Sequence, residues 1–291
     1  MPIAMQQSLT NDRPSMAEID LCGMTHKGLV RATNADHFLV ATFHRTMRVH
    51  ATSLGEAIGA NETQQRGLLL LVADGVGGAP DAGDGAARAV TTVADHLLHQ
   101  TEICSQLVAD RRDEAVQHLR ESVAKAHQTL VDASESDDKA HRATTLTMYA
   151  AFWPFAFVMH VGDSRLYRFR DGVLERLTTD QTVAQMMIDS GAMSAAAAER
   201  SPLKHVLWSA VGSSEIVPEV LVTDCTRRGV VLLCTDGLTK HVTDDEIASH
   251  MSRHAPTETT CKALVDLALS RGGTDNVTVV MGRTRRADDV T

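Results

Sequence analysis

Aromatic residues are scarce in this sequence: Phe, Trp and Tyr together make up 3% of 291 residues, so a core has to rest on Val, Leu, Ile, Ala and Met. Cysteine is also sparse. The five residues (Cys22, Cys104, Cys225, Cys234 and Cys261) are widely spaced, form no C-x-x-C pair and leave one over if the others bridged, which argues against a disulfide scaffold and for a reducing, cytoplasmic setting. There is no basic excess. A formal charge of -9 speaks against a general nucleic-acid binder or a membrane-surface protein, both of which favour a basic face. Nor is there a long apolar run: residues 146–161 are interrupted by Thr147 and Pro154 and fall short of the ~20 residues that span a bilayer. The polar N-terminus lacks the basic-then-apolar pattern of a signal peptide, and residues 1–17 read as a disordered tail.

What remains is ordinary globular material, 43% hydrophobic and 22% charged, enough for one large domain over 18–284 with a short charged tail at 285–291. Strands are expected at 19–25 and 37–43, followed by a polar stretch, 44–66, that reads as an inserted loop. Residues 67–73, GLLLLVA, form a continuous apolar run, as in a strand buried on both faces. The periodicity then changes to helical: Ala86, Val90, Val93, Ala94, Leu97 and Leu98 share one face, and Val116, Leu119, Val123, Ala126 and Leu130 share another. Strands return at 144–151, 155–161, 165–170 and 174–177, with Asp171-Gly172 as a type I′ hairpin turn. A mixed segment, 178–218, precedes a buried strand at 230–234, helices at 244–251 and 257–269, and a last strand at 276–281. Runs of strands alternating with pairs of helices point to an α+β sandwich of antiparallel sheets covered by helices.

The chemistry lies in a recurrence. Asp74, Asp163 and Asp236 follow apolar strands (LLLLVADG, FVMHVGDS, VVLLCTDG), and Asp275 precedes one (GGTDNVTVV). Any one of them is ordinarily a turn residue, since Asp-Gly is a common turn dipeptide. Several carboxylates at the ends of buried strands, however, need a compensating cation or hydrogen bonds, and hard oxygen ligands in this number suit Mg²⁺ or Mn²⁺. His96 and His99, three apart on a helix without an H-E-x-x-H pattern, read as a surface pair. The glycines at 77, 78, 83 and 85 match neither a P-loop nor G-x-G-x-x-G.

The ordered set R-x-x-N-x-D (Arg31, Asn34, Asp36), DGVGG from Asp74, GDSR from Gly162, TDGL from Thr235 and GGTDNVTVV from Gly272 resembles the metal-dependent protein phosphatases, the PPM or type 2C class, in its bacterial branch. The resemblance covers about 19–283. It implies a four-layer αββα sandwich of two antiparallel sheets flanked by helices, with a metal cluster at one end. It also implies site roles: Asp74 bridging two Mn²⁺ or Mg²⁺ ions, Asp236 and Asp275 completing the first, the Gly75 carbonyl and Asp36 serving the second, Asp163 with Asp236 holding a weaker third, and Arg31 gripping the substrate phosphate. The implied reaction is direct attack of a metal-bridging water on phosphoserine or phosphothreonine, in a monomer whose partners are phosphoprotein substrates and a cognate Ser/Thr kinase.

Some positions depart from the family pattern. Ala35 stands where relatives carry Glu or Gln, and Val76 where eukaryotic members carry His. In 178–218, which resembles the flap beside the active site, Asp180-Gln181 replaces Asp-His and Ser201 replaces the His before Pro202. Lys204 and His205 read as a solvated charged face. A protein that captures phosphoproteins without turnover, and a hydrolase of a small phosphoester, remain open beside the protein phosphatase.

Overall fold

The computed structural model describes residues 14, 18–43, 47–53, 67–77, 82–99, 112–135, 142–225 and 229–284. Along the chain run strands β1 (Ile19–His26), β2 (Asp36–Phe43), β3 (Met47–Thr52) and β4 (Gly67–Val76), helices α1 (Ala82–His99) and α2 (Arg112–Glu135), and strands β5 (Ala143–Thr144), β6 (Leu146–Phe152), β7 (Phe155–Val161), β8 (Arg165–Arg170) and β9 (Val173–Arg176). Helices α3 (Val183–Asp189) and α4 (Ala195–Ala198) and a 3-10 turn (Pro202–His205) follow. Strands β10 (Glu219–Asp224) and β11 (Val230–Cys234), helices α5 (Asp236–Thr239), α6 (Asp244–Met251) and α7 (Thr257–Ser270), and strand β12 (Val277–Thr284) complete the order.

The four consecutive leucines of β4 organise the layers. Successive strand residues point to opposite faces, and here both faces are covered. Leu69, Leu71 and Ala73 pack with Val90, Val93 and Leu97 of α1 and Leu119, Val123 and Leu130 of α2. Leu68, Leu70 and Val72 pack on Leu166, Val231, Leu233 and Val280 of a second sheet. A strand buried on both sides has no place for an alternating polar residue, which explains the unbroken apolar run.

The first sheet has the order β10-β7-β6-β4-β2-β3, with β5 pairing the end of β4; the second has the order β1-β12-β11-β8-β9. All of these pairings are antiparallel. Helices α6 and α7 cover the outer face of the second sheet, where Ile247, Met251, Cys261, Leu264 and Val265 meet Tyr167, Leu232, Val279 and Met281. The result is the expected four-layer αββα sandwich.

The hairpin over Asp171-Gly172 forms as expected, with φ of 52° and 83° at the two positions and Arg170 paired with Val173. Two expectations need correction. The segment 44–66 is not all loop, because it carries β3, which pairs with β2; the remainder, apart from Ser53, lies outside the described residues. Strand β10 was not anticipated. It is an edge strand with both faces partly exposed, so its sequence carries neither an alternating nor a continuous apolar signal. Expected tails 1–17 and 285–291 lie almost wholly outside the described residues. No helix among the described residues is long and apolar enough to cross a membrane.

The two-sided burial of β4 predicts an asymmetric stability map. Leu71→Ala, at a fully buried position, should lower unfolding free energy in urea by about 2–5 kcal/mol. Leu221→Ala on the exposed edge strand β10 should cost under about 1 kcal/mol.

Candidate metal centre

Antiparallel pairing brings the start of β2 to the end of β4, where Asp36 and Asp74 are direct cross-strand partners; such partners have Cα atoms about 4.5–5.5 Å apart. Side-chain parity then decides where they point. Asp36 shares the face of Phe38 and Val40, and Asp74 that of Leu68, Leu70 and Val72, so both carboxylates face into the space between the sheets. From the second sheet, Thr235 and Thr278 lie on the faces of Leu233 and Val280. Both donate to Asp36 Oδ2, at 2.8 and 2.7 Å. Asp36 is thus hydrogen-bonded across the sandwich while only 1% exposed.

The other carboxylates arrive at the same end by equally local means. Asp163 follows β7 through Gly162, whose φ of 105° a side chain would strain and whose added Cβ would lie 2.6 Å from Thr145. Asp236 opens α5 directly after β11. Asp275 precedes β12, with its Oδ1 accepting from the Asn276 N–H at 3.0 Å. These last two segments are pressed together so closely that a Cβ on Gly237 would lie 1.8 Å from the Asn276 carbonyl oxygen. Asn276 ties in the opening loop as well: its Oδ1 accepts from Ala35 N–H at 2.8 Å, and its Nδ2 donates to the carbonyls of Lys27 and Thr33. Ala35 contributes through its backbone, its carbonyl accepting from Gly75 N–H at 3.2 Å.

Electrostatically the cluster is under tension. Asp74 is pushed well above the ordinary carboxylate range, first by burial and then by Asp36, Asp236, Asp163 and Asp275, so all four of the other predicted carboxylates act on one group. Asp36 rises to about 7, chiefly by burial and against its two threonine hydrogen bonds. Asp163 rises to about 8 through burial, Asp236 and Asp180. Asp275 is different: burial works against it, yet the hydrogen bonds from Arg31 and Lys240 take it below the usual range.

Those two cations supply counter-charge to the cluster, as Arg165 does at Asp163. Arg31 forks onto Asp275, with Nε 2.7 Å from Oδ1 and Nη2 2.8 Å from Oδ2, and remains 46% exposed at the rim. Lys240 Nζ lies 2.6 Å from Asp236 Oδ2 and 2.6 Å from Asp275 Oδ2. Even so, Asp36 Oδ1 and Asp236 Oδ1 are buried and have no hydrogen-bond partner. Unpaired buried carboxylate oxygens are costly, and an all-oxygen donor set of this kind fits a hard divalent cation.

The structure therefore brings Arg31, Asp36, Asp74, Asp163, Asp236 and Asp275 to one end of the sandwich, with Gly75 beside Asp74. The parts played at this site by Lys240 and by the hydroxyls of threonines 145, 235 and 278 were not foreseen. Lys240 was detectable as a cation four residues after Asp236 on a helix, where side chains meet; the threonines carry no signal without the fold. Within residues 178–218, Gln181 makes a structural bridge, its Oε1 accepting from Gly162 N–H at 2.9 Å and its Nε2 donating to the Val217 carbonyl at 2.9 Å. Asp180 forks with Arg165. Lys204 pairs with Glu199 at 3.0 Å and, with His205, lines a cleft of about 490 Å³ that reaches Asp163 and Asp236. Lys204 is paired with an exposed Glu199 and His205 is exposed, in keeping with the solvated charged face expected there, and both border the candidate site.

A family model described as protein phosphatase 2C matches residues 56–269. The chain is similar to the serine/threonine protein phosphatase PstP of Mycobacterium tuberculosis, with 32% identity over 213 residues, covering 73% of this chain and 40% of that protein. It thus spans about two fifths of that relative's length. A crystal structure of M. tuberculosis PstP/Ppp aligns over 92% of this chain and 99% of its own with a TM-score of 0.72 and 26% identity. The catalytic domain of PstP in complex with two manganese ions aligns over the same shares with a TM-score of 0.68 and 26% identity.

The raised carboxylates set a sign for pH dependence. Between the ordinary range near 4 and values of about 7 and 8 at Asp36 and Asp163, the folded metal-free protein keeps protons that the unfolded chain has released. Its stability then falls as pH rises through that window. Asp275, lowered instead, contributes stability that is lost only on acidification below the ordinary range. Calorimetry without metal should show the melting temperature dropping between about pH 5 and pH 8, with a shallower slope in Asp36→Asn; saturating Mn²⁺ should reverse the trend, because the metal binds the deprotonated ligands.

Proposed function

This chain belongs to the protein phosphatase 2C family, and from that membership we propose that it hydrolyses phosphoserine and phosphothreonine in proteins, using Mn²⁺ or Mg²⁺ held by its carboxylate cluster. The observation that carries the proposal is the convergence of Asp36, Asp163, Asp236 and Asp275 on Asp74, together with two buried carboxylate oxygens that nothing else satisfies.

In this proposal Asp74, Asp236 and Asp275 would hold one ion, Asp74, Asp36 and the Gly75 carbonyl a second, and Asp163 with Asp236 a weaker third. When bound, the ions supply Lewis acidity that activates water and neutralises phosphate oxygens. The chain's own residues do the positioning. The Thr235 and Thr278 hydroxyls hold Asp36 through one oxygen and leave Oδ1 for coordination. Gly237 allows Asp236 and Asp275 to share a site. Arg31, half exposed and already set against Asp275, has the planar fork that suits two phosphate oxygens together. The cleft running from Asp163 and Asp236 below Lys204 and His205 offers the protein substrate a surface beside the phosphate.

We also propose a monomeric, cytoplasmic enzyme acting against a Ser/Thr kinase, with a catalytic domain over 18–284 and a flap over 178–218. The bidentate pair of Arg165 with Asp180 and the Gln181 bridge support the flap as a fixed wall.

Purified protein with Mn²⁺ should release phosphate from phosphothreonine peptides faster than from small phosphoester metabolites offered side by side, and chelation should abolish turnover. Asp74→Asn and Asp236→Asn should each lower kcat/KM at least about hundredfold, since each removes charge from the cation site, with circular dichroism unchanged. Full turnover in both variants would sink the metal assignment.

A further inference from the structure

The ammonium of Lys240 contacts two carboxylates that the proposed function assigns to a metal ion. Lys240 caps the single-turn helix α5, with its backbone N–H donating to the Asp236 carbonyl at 2.8 Å. Its side chain is therefore delivered from a fixed point one turn beyond Asp236. Nζ sits at 2.6 Å from one oxygen of each of two carboxylates, and these are the two that complete the first ion's site. Both contacts use Oδ2; on Asp236 the other oxygen, Oδ1, is buried and unpartnered. Lys240 is also 23% exposed and lines the cleft that holds Asp163 and Asp236, so it can leave the carboxylates without crossing the core.

An ammonium and a divalent cation compete for the same oxygens, because each needs the lone pairs pointing into the cluster. Resting on the metal-dependent reading above, we propose that Lys240 is a built-in competitor for the first divalent ion, holding Asp236 and Asp275 together in the metal-free protein and releasing at least one of them when the ion enters. It acts as a positioning residue through those carboxylates. Two consequences follow: the empty site keeps its ligands aligned, and metal affinity is set lower than the bare carboxylates would give.

Titration calorimetry with Mn²⁺ alone, on the full chain, tests this by the direction of the change. Lys240→Met should bind its first Mn²⁺ about tenfold more tightly than wild type, as expected for removing a like charge from a partly screened site. Its metal-free melting temperature should be lower and its Mn²⁺-induced rise larger. Lys240→Arg, which keeps the positive charge, should stay near the wild-type affinity. A residue that only shaped the site would give the opposite result, weaker binding on removal. If Lys240→Met does not fold without metal, Lys240→Gln provides the same comparison. Unchanged or weaker Mn²⁺ affinity in the uncharged variants, with normal binding by wild type, overturns this inference alone; wild type that binds no Mn²⁺ overturns the metal-dependent reading as well.

Discussion

The constraint on which the structure depends is the mutual repulsion of five carboxylates placed where water cannot screen them. Asp74 carries it most directly, since burial and all four neighbours act on it together. Such a cluster is tolerable only if the surrounding protein prevents the strand ends from spreading apart and supplies counter-charge. The fold does both. The hydroxyls of Thr235 and Thr278 bind Asp36 across the two sheets, Asn276 fastens the opening loop to the start of β12, and Arg31 and Lys240 bring positive charge to Asp275. The remaining deficit, expressed as unpartnered oxygens on Asp36 and Asp236, is what the proposed cations would offset.

This arrangement separates stability from chemistry along each strand. In β4 the leucines are divided between the helix-facing core and the intersheet core, and the acidic residue comes only after the apolar run has ended. The same order holds in β7 and β11, where Asp163 and Asp236 follow buried strands. The hydrophobic layers thus fix the backbone before the costly groups are placed, and the glycines at 162 and 237 let the chain approach closely at the points where an ordinary side chain would clash.

Much of this was legible in the sequence, for identifiable reasons. Strands buried on both faces leave continuous apolar runs, amphipathic helices leave a period, and the Asp171-Gly172 turn requires positive φ, so these elements could be placed. The aspartates were legible because they recur at strand ends and match an ordered set of motifs. Edge strand β10 was not foreseen because its partial exposure removes the pattern that burial imposes; β3 lies within a stretch read as a loop. The bonds made by Thr235, Thr278 and Gln181 were not foreseen because a polar residue bonded across the fold looks, in one dimension, like any loop or strand polar residue. Lys240 lies outside the TDGL motif, which ends at Leu238, two residues short of it.

The parity of β4 bears on how such a chain can change over time. Four leucines in a row are interchangeable as hydrophobic mass, so a strand slipped by one residue would still bury them almost as well. Asp74 would not survive the slip, since it would turn towards α1 and α2 and away from Asp36. The leucines thus supply adhesion, and the aspartate that follows them supplies the address. Lineages carrying this architecture are free to lengthen the connections, but a single insertion or deletion inside β4 would displace Asp74 while leaving hydrophobic content nearly intact.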